Sequence, residues 1–231
     1  MQSGHGSGHD VPVWEWVRRD VALLPPKPTL DLEPNYEDHL VNPWPQWNPT
    51  NGFFRDDDVR RAVFAGACGT TYGHHAVWQF ASVRGPVINH ADMGWRLAMQ
   101  RPAARQMSYL RQLMLSRPFF GRVEAPEMLP AGSSDDPSRQ AIATRSEDRS
   151  YAFIFFPQAR QRIEIDFAAV RGPRRAWWFD PQAGMAEKTA LPNTKTLILM
   201  TAPNGVADAV LVVDCVDRNF PSPGLLQGRM S

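Results

Sequence analysis

Glu33 closes the run Lys27-Pro28-Thr29-Leu30-Asp31-Leu32-Glu33-Pro34, and its neighbours make it a candidate for chemistry. Side chains alternate along an extended strand, so Thr29, Asp31 and Glu33 share one side and Leu30 and Leu32 the other. Pro34 has no N–H to offer a neighbouring strand and ends the sheet there. The spacing predicts a strand over 28–33 with a carboxylate on its C-terminal lip. Parallel α/β barrels place their catalytic groups at that lip. The plain alternative is a solvated Glu in front of a turn.

One carboxylate is half of a hydrolytic site. Glycoside hydrolysis commonly uses two, about 5–9.5 Å apart. Glu37 is the nearest second carboxylate, but it lies in the loop beyond Pro34 and need not face across the site. Asp31 sits one step deeper in the strand and reads as a buried orienting group. A second strand, starting near Thr70, leads to Tyr72, His74 and His75. A Tyr there can hydrogen-bond a carboxylate and fix its rotamer, and a His can bind a sugar hydroxyl or a metal. Adjacent histidines in an extended segment point apart, which argues against a two-His chelate. His5, His9 and Asp10 fall in a Gly-rich stretch too loose for a firm metal site. No phosphate-cradling loop, Ser-His-Asp order or zinc spacing stands out, so no cofactor and no metal are expected. Arg60 and Arg61 read as structural.

The elements that must position these groups follow from periodicity. Trp14, Val17, Val21 and Leu24 recur at helical spacing, which predicts a helix over 13–24 ended by Pro25-Pro26. Residues 38–55 form a long Pro- and Asn-rich loop after Glu33, and such loops often cover sites. Its Trp44 and Trp47 either line a sugar subsite or pack the loop down. A helix is predicted over 56–68, with Asp56, Asp57 and Asp58 in the first turn, where the helix dipole favours negative charge, and Gly69 at its stop. A third helix is predicted over Ala103–Leu115. Beyond Pro118 the texture becomes alternating. Strands are predicted over 139–144, 150–157, 161–167, 174–180, 195–201 and 208–215. Regular turns and no helices there argue for an antiparallel β-sandwich. The fold class is therefore α/β plus all-β.

Composition narrows the partners. The 231 residues carry 25 basic and 24 acidic side chains, a formal net charge of +1, so nothing points to nucleic acid or an anionic membrane. A hydrophobic fraction of 43% supports a real core. No apolar run reaches the roughly 20 residues of a membrane span. The start of the chain lacks the apolar core of a signal peptide, which leaves localisation unassigned. Cys68 and Cys215 read as two free buried thiols.

Several motifs then carry a family likeness. "KPTLDLEPNYE", followed by "RDDDVRRAVFAGACGTTYGHHAVWQF", resembles the apiosidase-like glycoside hydrolases, and "QSGH" at Gln2–His5 resembles the end of the preceding barrel strand. "WWFDPQAG" at Trp177–Gly184 resembles the family's C-terminal sandwich, a module labelled collagen-binding. The resemblance runs from Gln2 to about Val216. It implies a (β/α)8 barrel, Glu33 as catalytic nucleophile, and His5, Tyr36, Glu37, Tyr72 and His75 near a carbohydrate substrate. It divides the chain into 1–118 as the last two or so βα units of the barrel, 119–218 as the sandwich and 219–231 as a tail. The acid/base of the family lies on an earlier strand, which implies a retaining exo-glycosidase portion inactive by itself. Barrel strands bury both faces, so the Leu30 strand and first helix are expected to expose apolar surface and promote self-association. Relatives are commonly exported. The competing readings are a glycan- or collagen-binding sandwich, motivated by Trp177 and Trp178, and a sandwich that only buttresses the barrel.

Overall fold

The computed structural model describes residues 1–3, 12–39, 58–82, 84–88, 91–131, 134, 136, 139–192 and 196–225, with the backbone alone at 58–60. His5, Trp44, Asp56 and Asp57 lie outside them. The chain divides into two compact units, one of Met1–Val63 and Ala67–Met107, the other of Phe64–Gly66 and Ser108–Ser231.

The first unit has short strands and helices: α1 (Val13–Val21), β1 (Leu30–Asp31), α2 (Asp58–Phe64), β2 (Gly69–Thr70), α3 (His75–Trp78) and α4 (Trp95–Ala98), with α5 (Ala103–Leu115) passing into the second unit. β1 and β2 are parallel, pairing Leu30 with Gly69 and Asp31 with Thr70. On the other edge of β1 the residue 1 nitrogen donates to the Leu30 carbonyl (2.8 Å) and the Leu32 amide donates to the Met1 carbonyl (3.0 Å). That slanted pattern is again parallel. Three parallel segments thus lie side by side in the order 1–3, β1, β2. α1 buries Val13, Trp14 and Val17. It ends at Val21, before the two prolines, so Val21 and Leu24 are exposed although the spacing puts them on the inner face.

The predicted strand over 28–33 contracts to Leu30–Asp31, and its polar face is the buried one. Thr29 and Asp31 are buried, while Leu32 is 54% exposed. α2 also contracts, because Gly66, with φ +111°, supplies the stop predicted at Gly69. Arg61 is fully buried, its guanidinium 4.9 Å from the centre of the Trp14 ring. Cys68 is exposed, contrary to expectation, and Cys215 is buried; both are free.

The second unit is β-rich: β3 (Arg122–Glu124), β4 (Ile142–Ser146), β5 (Tyr151–Phe156), β6 (Arg162–Asp166), β7 (Arg174–Asp180), β8 (Met185–Thr189), β9 (Leu197–Thr201) and β10 (Ala209–Cys215). Six form an antiparallel sheet in the order β3-β4-β5-β10-β7-β8, and β6 pairs with β9. Every residue of the central strands β5 and β10 is buried. One face of β5 places Ile154 and Phe156 in a core with Leu211, Val213, Ile165, Phe167 and Met200, which joins the large sheet to the β6–β9 pair. The other face turns Phe153 and Phe155 onto Phe64, the latter pair stacked at 5.4 Å. Burial on both faces is why β5 reads as a continuous apolar run. Below the sheet, Asp214 accepts from Nε and Nη2 of Arg117, both at 2.8 Å, and both residues are wholly buried. β3 and β8 escaped prediction because both are short edge strands with polar side chains.

Candidate functional site

Asp31 organises the lip on which Glu33 stands. Its carboxylate accepts from the Ser3 amide (3.2 Å), the Ser3 hydroxyl (2.6 Å) and the Glu33 amide (3.3 Å), and it has no solvent exposure. A buried carboxylate that accepts three hydrogen bonds is a rigid part. It ties the first parallel segment to the end of β1 just where Glu33 emerges. Glu33 is half-buried, and its Oε2 accepts from the Gln2 side-chain amide at 2.8 Å. The Tyr36 hydroxyl is held above its ordinary pKa, by burial first and then by the negative charge of Glu33.

Beyond Pro34 the chain rejoins the parallel array. The Glu37 amide donates to the Gly73 carbonyl (2.9 Å) and the His75 amide to the Glu37 carbonyl (2.8 Å), a parallel bridge between Glu37 and His74. Tyr36 lies across Gly73 so closely that a Cβ there would sit 2.3 Å from the Tyr36 ring. Glycine is therefore required by the approach of the ring.

Glu37 is wholly buried. Its Oε2 accepts from the Tyr72 hydroxyl at 2.5 Å, as a Tyr at the second strand end can do. Its Oε1 has no hydrogen-bond partner among the described residues. Burial is the largest influence on this carboxyl and raises its pKa, against the lowering effects of Tyr72, His74 and Arg101. The Tyr72 hydroxyl is driven far up by burial and by Glu37, so it stays protonated and donates.

Asp38 has φ +59°, a left-handed conformation that Asp tolerates, and its buried Oδ2 lies 3.0 Å from Nη2 of Arg101 and 3.2 Å from Nε2 of His74. The Arg101 contact is an ion pair, and the His74 contact lacks hydrogen-bond alignment. The other His74 nitrogen, Nδ1, accepts from the Ala76 amide at 3.0 Å and caps α3. His75 is buried, its Nδ1 accepting from Trp78 at 3.4 Å and its ring edge-on to His39 at 4.3 Å. The adjacent histidines thus serve different partners, one the Asp38 cluster and one the His39–Trp78 side. Among the described residues no group of three or more His, Cys, Asp or Glu is placed to hold a metal ion, and no described helix is long and apolar enough to cross a membrane.

The structure therefore joins Glu37 to Tyr72 through their side chains and to His75 through the Glu37 carbonyl, while Tyr36 feels the charge of Glu33. His5 and Trp44 fall outside the described residues. Sequence reasoning missed Asp38, Arg101, Gln2 and the capping role of His74. His74 precedes a helix of only four residues, His75–Trp78, which is too short to announce its cap. Arg101 is separated from Asp38 by several elements, and no local pattern connects them.

The profile of the "Apiosidase-like, catalytic domain" matches residues 1–121, and that of the "Putative collagen-binding domain of a collagenase" matches residues 126–214. Two solved structures resemble the chain over most of its length. A glycoside hydrolase family 5 protein from Bacteroides vulgatus is 27% identical with a TM-score of 0.83, covering 96% of this chain and 51% of its own. A second, described as a glycoside hydrolase, is 29% identical with a TM-score of 0.78, covering 88% of this chain and 46% of its own. The chain thus spans about half the length of the structures it matches. No curated protein gives a match. With the catalytic-domain profile extending over more than half of its residues and the second profile following in order, the chain belongs to the apiosidase-like family.

Proposed function

We propose that this chain is the C-terminal portion of a retaining exo-glycosidase acting on side chains of plant-type polysaccharides, with Glu33 as nucleophile. The observation that carries the reading is the lip itself. Glu33 emerges half-exposed beyond the C-terminal end of a parallel strand, where the Asp31 carboxylate holds the Ser3 hydroxyl and the Glu33 amide. Three parallel segments with α2 between β1 and β2 suit the last units of a (β/α)8 barrel. On this reading residues 1–118 are the barrel portion, 119–218 a β-sandwich and 219–231 a tail.

In the reaction, the Glu33 carboxylate attacks the anomeric carbon as the glycosidic C–O bond breaks. A general acid from an upstream strand protonates the leaving oxygen, and water later releases the sugar from Glu33. Gln2 orients the nucleophile, Tyr36 borders it, and Glu37, Tyr72 and His75 form the buried wall behind. The 231 residues alone lack the acid and are inactive. Their exposed Leu23, Leu24 and Leu32 favour self-association.

Glu33→Gln, made in a protein that joins this chain to its upstream strands, lowers turnover of an aryl glycoside by at least about a thousandfold with KM little changed. Near-normal turnover in that variant overturns the assignment. Hydrolysis by the 231 residues alone overturns the incompleteness, and a monodisperse monomer in sedimentation overturns the self-association.

A further inference from the structure

The β7–β8 edge of the second unit holds a cleft of about 360 Å³ that the reading above does not use. Its lining includes Trp178, Asp180, Met185, Glu187, Pro203 and Val206. The register explains the grouping. Trp178 pairs directly with Glu187 and Asp180 with Met185, so all four stand on one face of the hairpin. Pro203 and Val206, from the connection between β9 and β10, form the facing wall.

The two adjacent tryptophans have different environments. Trp177 is 8% exposed on the opposite face, with Arg175 at 5.4 Å and Lys188 at 5.3 Å from its ring centre. Trp178 is only partly buried and is propped edge-on against Phe156 at 5.1 Å. Alternation thus sends those two cations to the Trp177 side, and the described cleft lining contains carboxylates without Lys or Arg. The Asp180 carboxylate is fixed by the Gln182 and Ala183 amides at 2.7 and 3.2 Å. The edge of β8 itself carries Glu187 and Lys188, which discourages addition of an extended peptide strand.

We infer that this cleft is a second carbohydrate site, in which a neutral sugar stacks on Trp178 and donates its hydroxyls to Asp180 and Glu187. A flat apolar ring beside one fixed acceptor, Asp180, and a second carboxylate, Glu187, suits a ligand with a C–H face and a hydroxyl rim. Two carboxylates without a cation disfavour uronic acids, phosphates and nucleic acids. The volume is at the small end of ligand clefts, about 300–1,000 Å³, and suits a mono- or disaccharide. The ligand class rests on the carbohydrate reading above; the position of the site does not.

Isothermal titration of the full chain with xylobiose, cellobiose and galactobiose tests it. At least one binds with a Kd of roughly 1–10 mM. Trp178→Ala weakens that binding by about tenfold or more. Because Trp178 also packs on Phe156, Glu187→Ala on the exposed edge is the second variant. It leaves the melting temperature unchanged and weakens binding severalfold, while Trp177→Phe and Glu33→Gln leave it unchanged. Absence of binding for all three disaccharides overturns the site. Binding that survives both Trp178→Ala and Glu187→Ala, or that is lost in Glu33→Gln, also overturns it. The turnover assay of Glu33→Gln stands apart from these outcomes, so either reading can fail alone.

Discussion

The two units bury very different things. In the second, β5 and β10 present Phe153, Ile154, Phe155, Leu211, Val212 and Val213 to covered faces, and the buried charges Arg117 and Asp214 satisfy each other through a two-pronged contact. In the first, strands of two residues hide Asp31, Glu37, Asp38, His39, His74 and His75. Buried polar groups cost stability unless they are bonded. A unit that accumulates carboxylates and imidazoles behind one lip has traded stability for placement of charge. Under the proposed function, the buried carboxylates and imidazoles lie in the same unit as Glu33.

Three measurements press on that difference. The largest effect belongs to Asp214→Ala, which strands the buried Arg117 guanidinium. It should cost the second unit about 3–5 kcal/mol in urea unfolding. A loss below about 1 kcal/mol would mean that the ion pair is not what fastens the end of α5 to β10. Next comes Gly73→Ala. The added methyl collides with the Tyr36 ring, and an expected loss of about 1–3 kcal/mol should be confined to the first unit. Amide exchange at Glu37 and His75 should accelerate while that of β5 and β10 holds; equal acceleration in both units would erase the contrast.

The smallest effect concerns pH. The folded-state pKa of Glu37 is raised, chiefly by burial, so the native state holds that proton to higher pH than the unfolded chain does. Its contribution is therefore fully present below the ordinary Glu value and is lost as pH rises through the folded one. Glu37→Gln keeps an acceptor for Tyr72 and removes the titration. Relative to the parent, the first unit of the variant should gain protection as pH increases from 4 toward 7. A pH-independent difference would show that the buried carboxyl is not protonated in that window.

Much of the second unit was legible because its strands run five to seven residues between turns, β6 by alternation and β10 as a continuous apolar run: β7 matches its predicted bounds, and β6, β9 and β10 lie within one or two residues. α5 also matches, since Met107, Leu110, Leu113 and Met114 hold one helical face over thirteen residues. Signals failed where elements are short. α3 spans four residues, too few for a helical period, so the segment after Thr70 read as one strand. In the first unit the individual groups were visible, but their association was not. Glu37 meets Tyr72, and Asp38 meets Arg101, through parallel pairing of segments far apart in the chain, which no local spacing encodes. Asp31 shows the reverse case, where a polar residue inside a strand of leucines already announced a buried role.

The inequality of the two thiols gives the molecule a built-in handle. Cys215 is sealed in the sheet core, while Cys68 is exposed one residue before β2, its amide donating to the Thr29 carbonyl at 2.9 Å. A maleimide dye would therefore attach at one place in the native state, beside the strand that carries Glu33. Its emission would register movements of that edge when sugars bind or neighbouring strands are supplied, with no engineered cysteine and no mutation at the site.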